Sequence, residues 1–447
     1  MLTAVIVGAG FSGLAAGIQL KRAGIQDFVI LEKASRVGGT WRENTYPGAA
    51  CDVPSHLYSY SFEPNPSWTR AYGGQAEILA YLEHCADKYG LRPHLKFGQH
   101  VDSATFDEAS GTWHIATATG ERMQARAILL GNGALHIPAL PDIAGLDTFK
   151  GKRFHSAQWD HDYDLDGKRV GVIGTGASAI QFVPQIAKRV KHLDVFQRTA
   201  PWVMPKRDRA ISDAERWLFE HVPMTHWLRR TGLYWLMESR VVGFAYAPKV
   251  NELIEKLARH LLAKAVPDPA LRDKLTPTYR FGCKRVLISN DWYPALQRDN
   301  VEVVTDRIES ITPRGVRTVD GHEREYDALI LGTGFRVNEY LSAIRVVGRN
   351  GAELNDVWRK SLRNYLGISV SGFPNLFLLM GPNTGLGHNS MIFMIEAQAR
   401  YAAKAVAQLR DRQLAFIDVL PSAEQAFRAE LARKMKNTVW TTGCQSW

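Results

Sequence analysis

The stretch Ala4-Val5-Ile6-Val7-Gly8-Ala9-Gly10-Phe11-Ser12-Gly13 decides the fold, because an apolar run leads into a glycine loop and then into an Ala- and Leu-rich segment. This order is typical of the strand, tight turn and helix that bind a dinucleotide. The glycines permit the turn and let the backbone approach a pyrophosphate, which the helix N-terminus holds through its free N–H groups and dipole. We therefore expect Gly8, Gly10, Ser12 and Gly13 to bind a cofactor.

A second glycine loop lies at mid-chain. Arg169-Val170-Gly171-Val172-Ile173 leads into Gly174-Thr175-Gly176-Ala177-Ser178-Ala179, which has Ala in place of the third glycine and is again followed by a helical pattern. Two such loops in strand–loop–helix context predict an α/β fold with two Rossmann-like dinucleotide-binding domains. Residues Gly174, Thr175, Gly176, Ala177 and Ser178 are the expected contacts of the second ligand.

The residue at the end of the following strand assigns each ligand. Glu32 stands 24 positions after Gly8, and its carboxylate can accept hydrogen bonds from both ribose hydroxyls. Arg198 stands 24 positions after Gly174, where a guanidinium suits a 2′-phosphate. The first site is therefore interpreted as an FAD site and the second as an NADPH site.

Length and charge limit the class of protein. A chain of 447 residues can form two or three domains with full cores. The net charge of +10 comes from dispersed basic pairs, and no basic arm is present, so no nucleic-acid partner is expected. We interpret the excess as a solvated surface plus phosphate sites, with association to an anionic membrane as a less favoured alternative.

Cysteine usage and hydropathy bear on compartment. The four cysteines, Cys51, Cys85, Cys283 and Cys444, form no CxxC or CxxxxC spacing, which argues for a reducing compartment and against a metal cluster or a flavin–disulfide relay. The first strand begins at residue 2, so we expect no signal peptide, and no apolar run of about 18 residues is present. The protein is expected to be cytoplasmic and to bind no metal.

The alternation of patterns along the chain predicts interrupted domains. Residues 1–140 and 326–447 are assigned to the FAD-binding domain, 148–206 and 280–325 to the NADP-binding domain, and 207–279 to a helical insertion that acts as a lid or wall. Within the insertion, Val250, Leu253, Ile254, Leu257, Leu261 and Leu262 form one helical face. Near the C-terminus, Asn389 or Ser390 is expected to cap a long helix.

Two further stretches carry a resemblance to a known family. Phe149-Lys150-Gly151-Lys152-Arg153-Phe154-His155-Ser156-Ala157-Gln158-Trp159-Asp160 resembles the FxGxxxHxxxW[PD] fingerprint of type I Baeyer-Villiger monooxygenases. The segment from Gly38-Gly39-Thr40-Trp41 to Tyr46-Pro47-Gly48-Ala49-Ala50-Cys51-Asp52 is similar to that family's GGxWxxxxYPGxxxD segment. With both glycine loops, the resemblance covers essentially the whole chain.

The resemblance implies roles for individual residues. Around FAD it places Gly39, Thr40, Trp41, Asp52, Tyr58, Val101 and Met391. It implies that Asp52 holds Arg285 at the flavin, and that Lys284 assists Arg198 and Thr199 at the 2′-phosphate. Trp440 resembles a tryptophan that contacts the nicotinamide ribose.

These residues also have plainer interpretations. Asp52 follows a Pro-Gly turn and could be a turn residue, and Lys284-Arg285 could be a surface pair. His155 and Trp159 fit packing and a hinge between domains better than catalysis. His388 could line the substrate pocket or belong to an ordinary loop.

The activity that the resemblance implies is oxygen insertion. In this family NADPH reduces FAD, O2 adds to give a C4a-peroxyflavin, and attack on a ketone yields an ester or lactone. Arg285 would supply the fixed cation beside the developing oxyanion, and Asp52 would orient it. The alternatives are a monooxygenase that oxidises a sulfide or amine, or, in a different class, an electron-transfer flavoprotein or a dinucleotide sensor. The oligomeric state stays open.

Overall fold

The computed structural model describes residues 1–339 and 341–444. The strands are, in chain order, β1 (Leu2–Val7), β2 (Phe28–Leu31), β3 (Leu95–Lys96), β4 (Val101–Asp107), β5 (Thr112–Thr117), β6 (Arg122–Leu130), β7 (Lys152–His155), β8 (Arg169–Ile173), β9 (His192–Phe196), β10 (Val203–Met204), β11 (Leu287–Ile288), β12 (Val301–Val304), β13 (Ile308–Ile311), β14 (Gly315–Thr318), β15 (Glu323–Glu325), β16 (Ala328–Leu331), β17 (Arg345–Val347) and β18 (Leu376–Leu378). The α-helices are α1 (Phe11–Arg22), α2 (Thr40–Glu43), α3 (Gln75–Lys88), α4 (Ala179–Ile186), α5 (Asp213–His221), α6 (Pro223–Glu238), α7 (Pro248–Ala265), α8 (Pro269–Lys274), α9 (Trp292–Leu296), α10 (Leu354–Lys360), α11 (Met391–Asp411) and α12 (Pro421–Met435).

The first sheet surrounds the N-terminal strand. Its order is β17-β4-β5-β6-β1-β2-β3, and β18 also pairs with β6. Strand β1 pairs in parallel with β2 and β6, with Val7 in register with Leu31 and Leu130. Its apolar run is buried on both faces, because Ala4 and Ile6 pack into one hydrophobic cluster and Val5 and Val7 pack into another. Helices α1 and α11 cover one face. The first glycine loop therefore lies at the carboxyl edge of the sheet, where open α/β sheets bind ligands.

The second sheet is parallel throughout and has the order β12-β9-β8-β16-β7. Ile173 at the end of β8 is in register with Phe196 at the end of β9, so the second glycine loop and Arg198 share one edge. The two sheets agree with the prediction of two Rossmann-like units.

One predicted boundary is wrong. Residues 326–331 were assigned to the first domain, but Ala328–Leu331 form β16, which lies between β8 and β7 of the second sheet. The run is fully buried, and a buried parallel strand has the same apolar pattern in either sheet. Pairing with the first sheet resumes only at β17.

Helices α5 to α8 lie within the predicted insertion, and a π-helix over Val242–Tyr246 joins α6 to α7. Helix α7 forms where the periodicity predicted it. However, Val250, Leu253 and Leu257 of the expected apolar face are exposed, whereas Leu262 is buried in the second domain. The pattern identified a helix but not which side meets the core.

The segment that carries the YPG motif joins the two domains. The Tyr46 hydroxyl donates to Oε1 of Gln181 on α4 at 3.0 Å, and Nε2 of Gln181 donates to the Ala50 carbonyl at 2.9 Å. A Cβ at Gly48, whose φ is +81°, would lie 2.9 Å from the Gln181 carbonyl oxygen. Only glycine allows this approach of the two backbones.

Two observations bear on the expectations about compartment. No helix of the described residues is long and apolar enough to cross a membrane. Cys283 and Cys444 form a disulfide across 161 positions, which the cysteine spacing did not predict, whereas Cys51 and Cys85 are free and buried. This disulfide disagrees with the reducing compartment that the cysteine spacing predicted, because disulfides are rare in such compartments.

Candidate functional site

The first glycine loop connects β1 to α1 with a backbone that only glycine can form. Gly8 has φ of +94°, and a Cβ there would lie 2.7 Å from the Gly131 carbonyl oxygen. A Cβ at Gly13 would lie 1.7 Å from the Gly8 carbonyl oxygen. Ser12 is buried in the first turn of α1, and Gly10 precedes the helix with no side-chain cap. The free N–H groups of this turn therefore face the groove that would hold a pyrophosphate.

Glu32 is buried and held from three directions. Its Oε2 accepts from the Ala9 N–H and its Oε1 from the Ala34 N–H, both at 2.9 Å. Nη1 of Arg42 lies 3.1 Å from Oε1. The structure places Glu32 beside the first loop as predicted and adds Arg42, whose side chain is only 10% exposed. The sequence did not identify Arg42, although its position within the GGxW segment is a signal that could have.

The segment that follows lies against the same loop. Gly39, with φ of +52°, would bring a Cβ within 3.2 Å of the Gly10 Cα, so the two backbones are in close approach. Thr40 begins α2, and the indole N–H of Trp41 donates to the Tyr58 hydroxyl at 3.1 Å. Burial raises the pKa of Tyr58, so this phenol stays protonated. Trp41 and Tyr58 therefore form a neutral wall beside the loop.

Asp52 and Arg285 form a two-pronged ion pair across 233 positions of the chain. Nε and Nη2 of Arg285 each donate to one oxygen of Asp52 at 2.7 Å. Burial raises the pKa of Asp52, but the charge and hydrogen bonds of Arg285, a backbone hydrogen bond and the charge of Lys206 together outweigh it, so the pKa lies below the ordinary value. The Asp52 charge likewise raises the pKa of Arg285. Both groups are therefore charged, as the resemblance implies.

The pair borders open space, since 28% of the Asp52 side chain and 24% of the Arg285 side chain are exposed. Nη1 of Arg285 donates to the Leu386 carbonyl at 3.3 Å. A guanidinium has five N–H groups. Three are used by Asp52 and Leu386, so among the described residues two remain for a ligand.

The loop that receives Arg285 leads directly into α11. The Leu386 N–H lies 3.1 Å from the Met391 sulfur, and the Ser390 hydroxyl caps the helix by accepting from the Ile392 N–H at 3.3 Å. Ser390 is therefore the cap, one of the two residues predicted. Val101 begins β4 and is buried in the first-domain core. Met391 thus lies near Arg285, whereas Val101 lies two residues after Gln99, whose N–H donates to the Glu32 carbonyl at 2.9 Å.

The second glycine loop is more open than the first. Gly174 has φ of +107°, and a Cβ there would lie 2.4 Å from the Gly332 carbonyl oxygen. A Cβ at Gly176 would meet nothing within 4 Å, and Gly176 and Ala177 are exposed. The Thr175 hydroxyl donates to the Thr199 carbonyl at 3.3 Å, and Ser178 precedes α4. The loop leaves room for a ligand above its exposed backbone.

Arg198 and Lys284 come together at this loop. The pKa of Lys284 is lowered, first by burial and then by the positive charge of Arg198. The Lys284 ammonium also lies 4.9 Å from the centre of the Tyr279 ring. Neither cation forms an ion pair with a carboxylate of the described residues. Two like charges without a counterion suit an anion such as a 2′-phosphate.

Trp440 lies behind these cations. It packs against Phe244 with ring centres 6.3 Å apart, in a cluster that also holds Cys283. The disulfide therefore joins the turn of Trp440 to the loop that carries Lys284 and Arg285.

The fingerprint stretch packs between domains. His155 ends β7, is buried, and its Nδ1 accepts from the Ala157 N–H at 3.1 Å. Burial lowers the pKa of His155, so the ring is neutral. Trp159 packs on Phe154 and Phe182 with ring centres 5.1 and 5.2 Å apart. Both residues contribute packing and do not contact Arg285.

The helical insertion contacts the loop before α11. Oε2 of Glu238, at the end of α6, accepts from Nδ2 of Asn389 at 2.7 Å and lies 3.4 Å from Nε2 of His388. His388 is buried. The sequence indicates His388 as a candidate pocket residue but not its partner, because Glu238 lies in the helical insertion and belongs to no motif. The insertion therefore closes one side of the space beside Arg285.

Comparisons with known proteins agree with this arrangement. A family model described as pyridine nucleotide-disulphide oxidoreductase matches residues 5–217. The chain is 50% identical over 443 residues to a Baeyer-Villiger monooxygenase of Pseudomonas aeruginosa, and the match covers 99% of this chain and 84% of that protein. An oxidized steroid monooxygenase bound to NADP superposes with a TM-score of 0.90 at 33% identity, covering 99% of this chain and 92% of that one. OTEMO in complex with FAD and NADP gives a TM-score of 0.89 at 28% identity, covering 100% of this chain and 92% of that one.

Proposed function

This chain belongs to the Baeyer-Villiger monooxygenase family, and from that premise we propose that Arg285, held by Asp52, promotes the insertion of one oxygen atom beside a ketone carbonyl. NADPH and O2 are the co-substrates, FAD is the bound cofactor, and an ester or lactone is the product. The observation that carries the proposal is the charged, two-pronged Asp52–Arg285 pair with two N–H groups left over at an open space.

The residues of the first unit fit FAD. The Gly8 to Gly13 turn offers a backbone cradle that a Cβ would block, and the Trp41–Tyr58 pair offers an uncharged wall beside it. When bound, the flavin accepts hydride from NADPH and activates O2. Glu32 would accept hydrogen bonds from the two ribose hydroxyls, because the Ala9 and Ala34 N–H groups leave one lone-pair site free on each carboxylate oxygen.

Arg285 supplies a fixed positive charge where the substrate oxygen becomes negative. Such charge stabilises a transition state because it is oriented before the reaction and does not have to reorganise during it. Asp52 fixes the guanidinium plane through two bonds, and the Leu386 carbonyl fixes one of its ends. We assign the two remaining N–H groups as the donors to the carbonyl oxygen of the ketone.

Arg198 and Lys284 hold the nicotinamide cofactor through its 2′-phosphate, with Thr175 and Thr199 at the mouth of the loop. Because Lys284 is next to Arg285 in the chain, phosphate binding and oxygen transfer are served by adjacent residues. We assign Trp440, which packs against the cluster that holds Cys283, to contact with the nicotinamide ribose.

The experiment is a panel of linear, cyclic and aromatic ketones and one alkyl aryl sulfide, incubated with the FAD-bound protein, NADPH and 18O2. Products are analysed by mass. Esters or lactones that carry one labelled oxygen support the proposal. Labelled sulfoxide with no ester from any ketone contradicts it, as does NADPH oxidation that requires an added electron acceptor.

A cytoplasmic location is part of the proposal, because the reaction consumes NADPH. Fractionation of cells that express the chain at its native level tests it. Recovery in an exported fraction contradicts it.

A further inference from the structure

Arg285 depends on a short loop for part of its position. The Leu386 carbonyl accepts from Nη1 of Arg285 at 3.3 Å, and Leu386 stands between Gly385 and Gly387. A Cβ at either glycine would meet nothing within 4 Å, and glycine restrains the backbone less than any other residue. The Leu386 N–H lies 3.1 Å from the Met391 sulfur, which is a weak acceptor. The loop therefore needs a further support to hold the Leu386 carbonyl at Arg285.

The other end of this loop is held by the helical insertion. Oε2 of Glu238, the last residue of α6, accepts from Nδ2 of Asn389 at 2.7 Å. Oδ1 of Asn389 accepts from the Ser390 N–H at 2.8 Å, and the Ser390 hydroxyl caps α11. Asn389 and Ser390 are both buried. The Asn389 side chain therefore links Glu238 to the start of α11.

Glu238 also faces the residue before Asn389. Nε2 of His388 lies 3.4 Å from the same oxygen of Glu238. The ring of His388 is buried, and neither of its nitrogens forms a hydrogen bond within the described part of the chain. Buried polar groups are normally paired, so we interpret the Glu238 carboxylate as the neighbour that compensates this ring. Glu238 thus contacts two consecutive side chains of the loop.

The helix that presents Glu238 is fixed on its inner side. Met237, the preceding residue, is buried in the core of the first domain. Tyr234, one turn earlier, packs on Phe393 of α11 with ring centres 4.9 Å apart. A side chain on a rigid element is held more precisely than one on a loop. The contact between Glu238 and Asn389 therefore transfers the rigidity of α6 to the loop.

We propose that Glu238 is a positioning residue for oxygen transfer, which acts through Asn389 on the loop whose Leu386 carbonyl orients Arg285. The inference rests on the function proposed for Arg285. Without Glu238 the guanidinium keeps Asp52 but loses a fixed second support, so its charge is less well oriented for the substrate oxygen. Coupled turnover converts NADPH, H⁺, O2 and ketone to NADP⁺, water and ester. Uncoupled turnover converts NADPH, H⁺ and O2 to NADP⁺ and H2O2.

The test measures ester and H2O2 formed per NADPH consumed by the FAD-bound protein. Glu238→Ala should lower the ester formed per NADPH by about tenfold and raise H2O2 to match, since displacing a catalytic group by ~1 Å can cost up to about 100-fold. The rate at which NADPH bleaches the flavin should stay the same. A general loss of structure would lower both quantities.

Two further variants test the route through Asn389. Glu238→Gln keeps an oxygen that can accept from Asn389 and should recover most of the ester yield. Asn389→Ala removes the same contact from the other side and should lose about as much as Glu238→Ala. The double variant Glu238→Ala/Asn389→Ala should lose no more than either single variant, because two residues that act through one contact are not additive.

The matched control is Glu220→Ala, because Glu220 is an exposed glutamate on α5 of the same insertion. It should couple like the unchanged protein. Hydrogen exchange followed by mass spectrometry reports on the loop itself. The amides of residues 386–390 should exchange faster in Glu238→Ala than in Glu220→Ala.

The inference is overturned if Glu238→Ala forms as much ester per NADPH as Glu220→Ala, or if the losses add in the double variant. If Glu238→Ala does not fold, Asn389→Ala decides in the same way. An unchanged protein that makes no ester from any ketone contradicts the proposed function instead. Loop exchange then decides the inference, and equal exchange in Glu238→Ala and Glu220→Ala overturns it.

Discussion

Glu32 and Arg198 stand at equal distances after their glycine loops, yet the surroundings of the two charges in the fold are opposite. Glu32 is buried, accepts from the Ala9 and Ala34 N–H groups, and pairs with Arg42. Arg198 is exposed, and it lies close enough to another cation, Lys284, for its charge to lower the pKa of that lysine. The first charge is satisfied by the protein itself, whereas the second lacks a counterion in the described part of the chain.

The difference separates a resident cofactor from an exchanging one. A buried carboxylate with three partners is part of the folded structure, so a ligand added there joins an existing network. Two neighbouring cations repel each other, and a bound anion removes this repulsion, so anion binding lowers the electrostatic free energy of the site. The site is also exposed, so it remains accessible when no anion is bound. We therefore interpret the first unit as built to retain FAD and the second as built to exchange NADPH.

The largest expected effect comes from removing the satisfied charge. Glu32→Ala leaves the Ala9 and Ala34 N–H groups without their acceptor, whereas Arg42 keeps Glu43 as a partner at 2.9 Å. Two donors left unpaired in this way typically cost about 2 to 6 kcal/mol together. The free energy of unfolding should fall by that amount, as measured by urea titration of FAD-free protein. Glu108→Ala removes an exposed partner of Arg349 and should unfold like the unchanged protein. Equal midpoints for both variants would show that Glu32 is not a structural anchor.

The next effect concerns Arg285, which comes from the second half of the chain and pairs with Asp52 of the first. Loss of a preorganised charge beside a forming oxyanion costs about 3 kcal/mol or more in the barrier. Arg285→Ala should still let NADPH bleach the flavin but should give hydrogen peroxide in place of ester. Stopped-flow absorbance and product analysis measure the two steps separately.

Arg285→Lys is the matched variant, because it keeps the charge and loses the two-pronged geometry. We expect an ester yield between those of Arg285→Ala and the unchanged protein. A normal ester yield from Arg285→Ala would remove this residue from the mechanism. A failure of flavin reduction would reassign Arg285 to positioning of the nicotinamide.

Local patterns account for the part of the fold that the sequence predicted. Strand, glycine loop, helix and the following charged residue all lie within about 30 positions, so their geometry follows from neighbours in the chain. The Asp52–Arg285 pair lies 233 positions apart and was available only through the resemblance. The cap at Ser390 followed from its place before a helical pattern.

The wrong or missing predictions share a physical cause, because each concerns a feature that is determined by tertiary contacts. The apolar run of β16 is compatible with either sheet, and only its pairing with β7 and β8 places it in the second. Periodicity identified α7 but not its buried side, since Val250 and Leu253 face outward. The disulfide of Cys283 and Cys444 spans 161 positions, and spacing alone cannot predict such a pairing.

A smaller effect should distinguish the second unit from the first. Arg198→Ala removes one charged contact to phosphate, which contributes on the order of 1.5 to 3 kcal/mol, so the KM for NADPH should rise by about 10- to 150-fold. The KM for NADH should stay the same, because NADH has no 2′-phosphate. Steady-state kinetics with both nucleotides measure this, and Lys284→Ala should show the same preference. Equal losses with NADPH and NADH would contradict the assignment of this site.

The smallest expected effect lies between the units, in the stretch from Phe149 to Asp160. His155 is buried and neutral, accepts from the Ala157 N–H, and packs on Phe335 with ring centres 5.8 Å apart. Because it supports the junction and does not contact Arg285, His155→Ala should slow turnover several-fold and leave FAD bound. His155→Asn keeps an acceptor for the Ala157 N–H and should recover part of the rate, whereas His260→Ala, at an exposed histidine of α7, should change nothing. A His155→Ala protein that reduces its flavin at the normal rate and consumes O2 normally, but gives no ester, would place His155 in the oxygen-transfer site instead.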